Sequence, residues 1–125
     1  MTLLAVLAVA LGGFVGAPAR FLVDRWVSDR WESDFPLGTF VINVSGSGLL
    51  GVVVGLSLAG HLPDVWKALI GTGFCGAFTT FSTWSFETVR LAEEGEYLQA
   101  GLNVVVSLVV GLAAAGAGLA LGLNL

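Results

Sequence analysis

The sequence predicts an all-α integral membrane protein of four transmembrane helices in a single domain, residues 1–125. Three observations carry this. The 125 residues are 56% hydrophobic and only 11% charged, where an ordinary soluble domain is about 25% charged, and the mean hydropathy is +0.92. Four apolar runs, at about 3–23, 37–59, 65–92 and 97–123, each reach the ~20 residues that a spanning helix needs. The charged residues gather between these runs. The formal net charge of −4 supplies no basic face for nucleic acid.

The first run opens on Met1-Thr-Leu-Leu-Ala-Val-Leu-Ala8. It lacks the positive n-region of a secretory signal and continues past Phe14 to Val23, so it reads as a retained spanning helix. Gly12 and Gly16 fall on one face and let another helix approach closely. Arg20 stands near its end. It is either an interfacial arginine that snorkels to water or a buried guanidinium that fixes carbonyls or attracts an anion. The first loop is expected from Asp24 to Pro36 and holds most of the charge, with Trp26 and Trp31 suited to an interfacial belt. Pro36 marks the next helix start.

The second run carries Thr39, Asn43 and Ser47 at i+4 spacing, one polar stripe that Gly51 and Gly55 continue as a packing surface. Asn43 alone could hydrogen-bond a neighbouring helix. A stripe of Thr, Asn and Ser is better explained by a polar path. The following turn holds His61, the only histidine, which reads as solvent-facing, and Pro63-Asp64, which suits a helix start. Trp66 and Lys67 mark the interface.

The third run is organised around Gly73-Phe-Cys-Gly-Ala-Phe-Thr-Thr-Phe-Ser-Thr-Trp-Ser-Phe-Glu87. A helix that only anchors has no need of two glycines followed by Thr79, Thr80, Ser82, Thr83 and Ser85. In hydrocarbon every backbone polar group needs a partner, so this centre predicts a helix break buried in protein or lining a cavity. Carbonyls released by the break could ligate a cation, and the half-helix that resumes would favour an anion. Cys75, the only cysteine, reads as a small buried hydrophobe. Glu87 precedes Arg90 by one turn; it forms an interfacial ion pair or stands as a carboxylate at a pore mouth. The fourth run places Asn103 and Ser107 at i, i+4, with Gly111 below and a small apolar remainder. These features together point to a membrane pathway for a small solute.

With four spans, Arg25, Arg30 and Arg90 lie on one side and Lys67 on the other. The positive-inside rule favours the arginine side as cytoplasmic, but so small a bias admits both orientations.

The chain resembles the fluoride channel family called Fluc or CrcB over nearly its whole length. The resemblance rests on Gly12-Gly-Phe-Val-Gly-Ala-Pro-Ala-Arg20, on Gly38-Thr-Phe-Val-Ile-Asn43 with Gly46, and on Gly73-Phe-Cys-Gly76 leading into Thr79-Thr-Phe-Ser-Thr83. It implies an antiparallel homodimer of four-helix subunits in the cell inner membrane, with the third helix broken and two fluoride pores per dimer. It also implies a sodium ion on the two-fold axis, held by backbone carbonyls of Gly76 and Thr79 from each chain. The implied pore residues are Asn43, Phe81, Ser82 and Thr83, with Ser107 and Asn103 on the fourth helix. Glu87 and Arg20 fall at vestibule positions. The family's second pore phenylalanine is Trp84 here, a larger ring with an N–H donor.

These residue types suit a small anion that holds its water tightly. Amide and hydroxyl donors on Asn43, Ser82, Thr83 and Ser107 replace that water without a trapping positive charge, and a ring edge carries partial positive charge. Conduction needs such sites to be several and individually modest. No energy source is visible, so passive fluoride export and resistance to fluoride follow. A small multidrug-type proton-coupled exporter is the alternative, but it needs an acid in its first helix, and none lies between Met1 and Val23. A pore-less structural subunit leaves Asn43, Ser107 and the broken helix unexplained. A hydrolase would need a nucleophile and base at depth, and the sole histidine is in a loop.

Overall fold

Six α-helices and one π-helical stretch make up the computed structural model, which describes residues 2–125 and has no strand among them. Helix α1 spans Leu3–Arg30. The Thr2 side chain caps it by accepting from the Ala5 amide at 3.1 Å. The expected loop at Asp24 does not begin there, and α1 continues for seven further residues to Arg30. Charge by itself does not end a helix. Residues 24–30 contain no glycine or proline, and they extend α1 as an amphipathic tail with Val27 buried. Arg25 and Asp29 pair at i, i+4, and Arg30 lies over the Trp26 ring, 4.7 Å from its centroid. The loop therefore shrinks to residues 31–36. Pro18 sits within α1, where it has no N–H to offer the Phe14 carbonyl.

Helix α2 spans Leu37–Leu58 and starts directly after Pro36. The turn after it passes through Gly60, whose φ of 77° is a conformation glycine adopts without steric cost. The amide of exposed His61 closes the turn onto the Leu56 carbonyl at 2.9 Å. Helix α6 spans Tyr97–Asn124 and lies against α2 at backbone contact. A Cβ on Gly118 would come 3.0 Å from the Val52 nitrogen, and one on Gly55 would come 2.8 Å from the Leu123 nitrogen. The small residues of the two runs are thus a close-packed seam.

Between these helices the third run is built in pieces. Helix α3, Asp64–Trp66, leads into the π-helical stretch Lys67–Cys75, then α4, Gly76–Phe78. Thr79 (φ −81°, ψ 159°) and Thr80 (φ −148°, ψ 121°) are extended, and α5 resumes at Phe81–Glu93. The break falls on the two threonines and not on the glycines. Gly73 has a different use. It lies where α1 crosses the π-helical stretch, and a Cβ there would sit 2.7 Å from the Val9 carbonyl oxygen.

Three helices, α1, α2 and α6, are long and apolar enough to cross a membrane, so the protein is a multi-pass membrane protein. The buried core is small and includes Val27, Ile42, Val53, Cys75, Phe78 and Leu91. Many large apolar side chains point outward, an arrangement at home among lipid tails. Cys75 is buried and unpaired, as its place in an apolar run predicts.

Candidate functional site: a polar groove at the broken helix

The break is held open by Asn43. Its side-chain oxygen accepts from the Thr80 amide at 2.8 Å, and its nitrogen donates to the Thr80 carbonyl at 3.0 Å. In a continuous helix the Thr80 amide would bond the Gly76 carbonyl. Asn43 takes that amide instead. No backbone bond outside the helices ends on the carbonyls of Gly76, Ala77, Phe78 or Thr79. The Cys75 carbonyl is occupied twice, by the Thr79 amide at 3.0 Å and the Thr79 hydroxyl at 2.9 Å. Thr80 then starts α5, its hydroxyl accepting from the Thr83 amide at 3.1 Å.

Two open cavities flank the break, and Thr80 lines both. One, of about 340 Å³, runs between α2 and α6 and brings together Asn43, Thr79, Phe81, Trp84 and Ser107. The other, of about 220 Å³, faces α1 and brings Arg20 and Asp24 to Thr39 and Thr83. Ser82 lines neither; its hydroxyl is 3.4 Å from that of Thr80. Phe81 is 76% exposed, and its ring centroid is 5.4 Å from that of Trp84 at 53°. Gly76 is also exposed. Asn103 is fully buried, behind the groove wall.

A clasp joins α5 to α6 at that wall. The Trp84 indole Nε1–H donates to the Asn103 backbone carbonyl at 3.1 Å. The Asn103 side-chain nitrogen donates to the Thr88 hydroxyl at 2.8 Å, which itself donates to the Trp84 carbonyl at 2.8 Å. Ser107 donates to the Asn103 side-chain oxygen at 3.3 Å. Thr88 carries this clasp, and only its place four residues after Trp84 hints at it in the sequence.

Glu87 does not pair with Arg90. It accepts from the Thr39 hydroxyl across the gap to α2, while Arg90 pairs with Glu94 at 3.7 Å on the surface. Of the two readings of Glu87, the ion pair with Arg90 is therefore not the one formed. Thr39, one member of the polar stripe on α2, is thus the partner of the acid. Glu87 and Arg90 both line a third opening of about 590 Å³ at the end of α1, with Asp24 and Trp31. Arg20 has no ion pair among the described residues. No cluster of His, Cys, Asp or Glu among them could hold a metal, so a cation here would depend on backbone carbonyls.

Residues 7–119 match the family described as CrcB-like protein, Camphor Resistance (CrcB). The chain is similar to the fluoride-specific ion channel FluC 1 of Leifsonia xyli subsp. xyli, at 51% identity over 98% of this chain and 89% of that protein. It is 47% identical to the fluoride-specific ion channel FluC 1 of Streptomyces avermitilis over 90% of each chain. The fluoride-specific ion channel FluC of Shewanella oneidensis is 48% identical over 82% of this chain and 83% of its own.

Proposed function

The chain belongs to the CrcB family, and from that premise we propose that it is a fluoride-specific ion channel, not an enzyme, that carries fluoride passively out of the cell. The single observation that carries the assignment to particular residues is the clamp of Asn43 on Thr80. It opens a helix beside a groove that already holds Phe81, Trp84 and Ser107. The relatives, named as fluoride-specific channels, give no support to a proton-coupled exporter.

The working unit we infer is an antiparallel homodimer in the inner membrane, each subunit crossing four times. The series from α3 to α5 would be the fourth span, its interrupted centre protected by protein as broken spans require. One subunit leaves Asn43, Ser107 and Thr79 along an open groove. Polar groups at membrane depth need cover from protein or water, and a second copy of the chain supplies it. With two copies, two grooves make two pores, and the small charge bias permits the opposed orientations.

Fluoride would shed water against several modest groups. Asn43 keeps one N–H after bonding Thr80, and Phe81 presents a ring edge. The Ser107 hydroxyl adds a donor in the same groove and that of Thr83 a donor in the cavity beside α1, while Ser82, which lines neither, would need the second subunit to bring it to the path. Trp84 offers its ring only, since its N–H is held by Asn103; this removes the chief chemical difference from a phenylalanine. Arg20 and Glu87 would shape the vestibules. Sodium would suit the break: a hard cation takes oxygen ligands, the Thr80 amide that a continuous helix would give to the Gly76 carbonyl goes to Asn43, and no amide outside the helices takes the Thr79 carbonyl. On a two-fold axis the pair of carbonyls becomes four. The bound ion would supply structural support at the subunit contact.

The deciding experiment is anion efflux from liposomes holding the purified protein. Rapid fluoride efflux without chloride efflux is expected. Efflux of neither ion from folded dimer, or of both alike, would sink the assignment.

A further inference from the structure

The clasp between α5 and α6 has a fixed sense of donation. Thr88 gives its only proton to the Trp84 carbonyl, so toward Asn103 it can only accept. Asn103 must therefore turn its amide nitrogen to Thr88 and its oxygen to Ser107. No buried side-chain polar atom among the described residues lacks a partner, so the ring is closed. Its consequence reaches the groove. Ser107 lines the groove, yet its proton is directed inward, to Asn103, across a long 3.3 Å.

We propose that Thr88 is a positioning residue for conduction: through Asn103 it draws the Ser107 proton away from the groove, so that Ser107 meets an anion as a weak, easily withdrawn donor. The inference rests on the proposed place of Ser107 in the pore. The long bond to Asn103 competes with the anion for one proton, which keeps the site shallow, as conduction through successive sites demands. Trp84 sets the ring's frame by tying its indole to the Asn103 backbone. Were Thr88 unable to accept, the Asn103 amide would reverse, because a buried N–H without a partner is worse tolerated than a C=O. Its nitrogen would then donate to Ser107. The Ser107 proton, released from Asn103, would point to the anion as a committed donor.

The test is a double-mutant cycle in fluoride efflux, with Thr88→Val and Ser107→Ala singly and together, reading both maximal rate and half-saturating fluoride. Thr88→Val alone should lower the maximal rate and tighten half-saturation by about fivefold each, the factor one neutral hydrogen bond is worth. In the Ser107→Ala background Thr88→Val should change neither quantity. Thr88→Ser, which keeps the hydroxyl, should restore the wild-type values. Equal effects of Thr88→Val with and without Ser107 would overturn the inference and leave Ser107 in the pore. A Ser107→Ala channel indistinguishable from wild type would overturn the pore assignment and the inference with it. If Thr88→Val does not yield folded dimer, Thr88→Cys, a weak acceptor of similar size, takes its place in the same cycle. An effect that vanishes in the Ser107→Ala background then supports the inference, and one that persists there overturns it.

Discussion

Asn43 on α2 bonds both backbone groups of Thr80, its side-chain oxygen to the amide at 2.8 Å and its nitrogen to the carbonyl at 3.0 Å. One side chain thus does for Thr80 what a neighbouring turn of helix would have done. Asn43→Leu would leave two backbone groups without partners at membrane depth, where each such loss costs about 1–3 kcal/mol. The expected outcome is a loss of about 2 kcal/mol or more of unfolding free energy in detergent, together with loss of fluoride efflux. Asn43→Asp keeps the acceptor but sets a carboxylate oxygen against the Thr80 carbonyl and against any passing anion. It should also abolish efflux, and conduction retained by Asp would remove Asn43 from the path.

Phe81 separates function from folding. Its ring is 76% exposed and its one aromatic neighbour is Trp84, so the subunit has little packing to lose there. Phe81→Ile should change subunit stability by no more than about 0.5 kcal/mol. An aromatic edge contact is worth up to about 1.5 kcal/mol, so fluoride efflux should fall by up to about tenfold. Comparison of efflux rate and unfolding midpoint in one preparation checks this; unchanged flux would take Phe81 out of the pore.

Much of this arrangement is legible in the chain because membrane helices write their polar needs openly. Asn43, Thr39 and Ser47 stand out against an apolar run, and the glycine-interrupted, Thr-rich centre of the third run announces a break, though not that it falls on Thr79 and Thr80 and spares the glycines. What the sequence hides are partners across helices. Nothing in the spacing shows that Asn43 would close on Thr80, or that Glu87 would take Thr39 in preference to Arg90. Local spacing proposes i, i+4 pairs, while the folded seam between α2 and α5 decides which are made. The end of α1 is hidden for a related reason. Residues 24–30 look like a loop by charge, but they have the periodicity and pairing of a surface helix.

The choice of Thr39 by Glu87 separates two kinds of polar contact. Thr39 is buried, and a hydrogen bond to a charged acceptor contributes about 1.5–3 kcal/mol. Thr39→Val should therefore lower stability by about 2 kcal/mol, and Thr39→Ser should recover most of it. The Arg90–Glu94 pair has side chains 52% and 58% exposed, and such pairs are worth about 0–1 kcal/mol and weaken with salt. Arg90→Ala should change the unfolding midpoint little, and less at high salt than at low. Equal losses from Thr39→Val and Arg90→Ala would contradict this assignment of partners.

A cation at the break would rest on backbone oxygens. No amide outside the helices takes the Gly76 or Thr79 oxygen, and no acidic or histidine cluster among the described residues is at hand to hold a cation in their place. If two subunits bring these oxygens together around sodium, the ion stabilises the dimer by mass action, about 2.7 kcal/mol at a concentration one hundred times its dissociation constant. Replacing sodium with a large organic cation should therefore lower the dimer's unfolding temperature and slow fluoride efflux, and adding sodium back should restore both along one binding curve. The site is made of backbone, so side-chain substitution at Thr79 tests it differently. Thr79→Ser keeps the hydroxyl bond to the Cys75 carbonyl and should leave the sodium dependence as it was. Efflux that runs equally fast in sodium and in the organic cation would show that these carbonyls face water or the pore, and the break would then need another account of its stability.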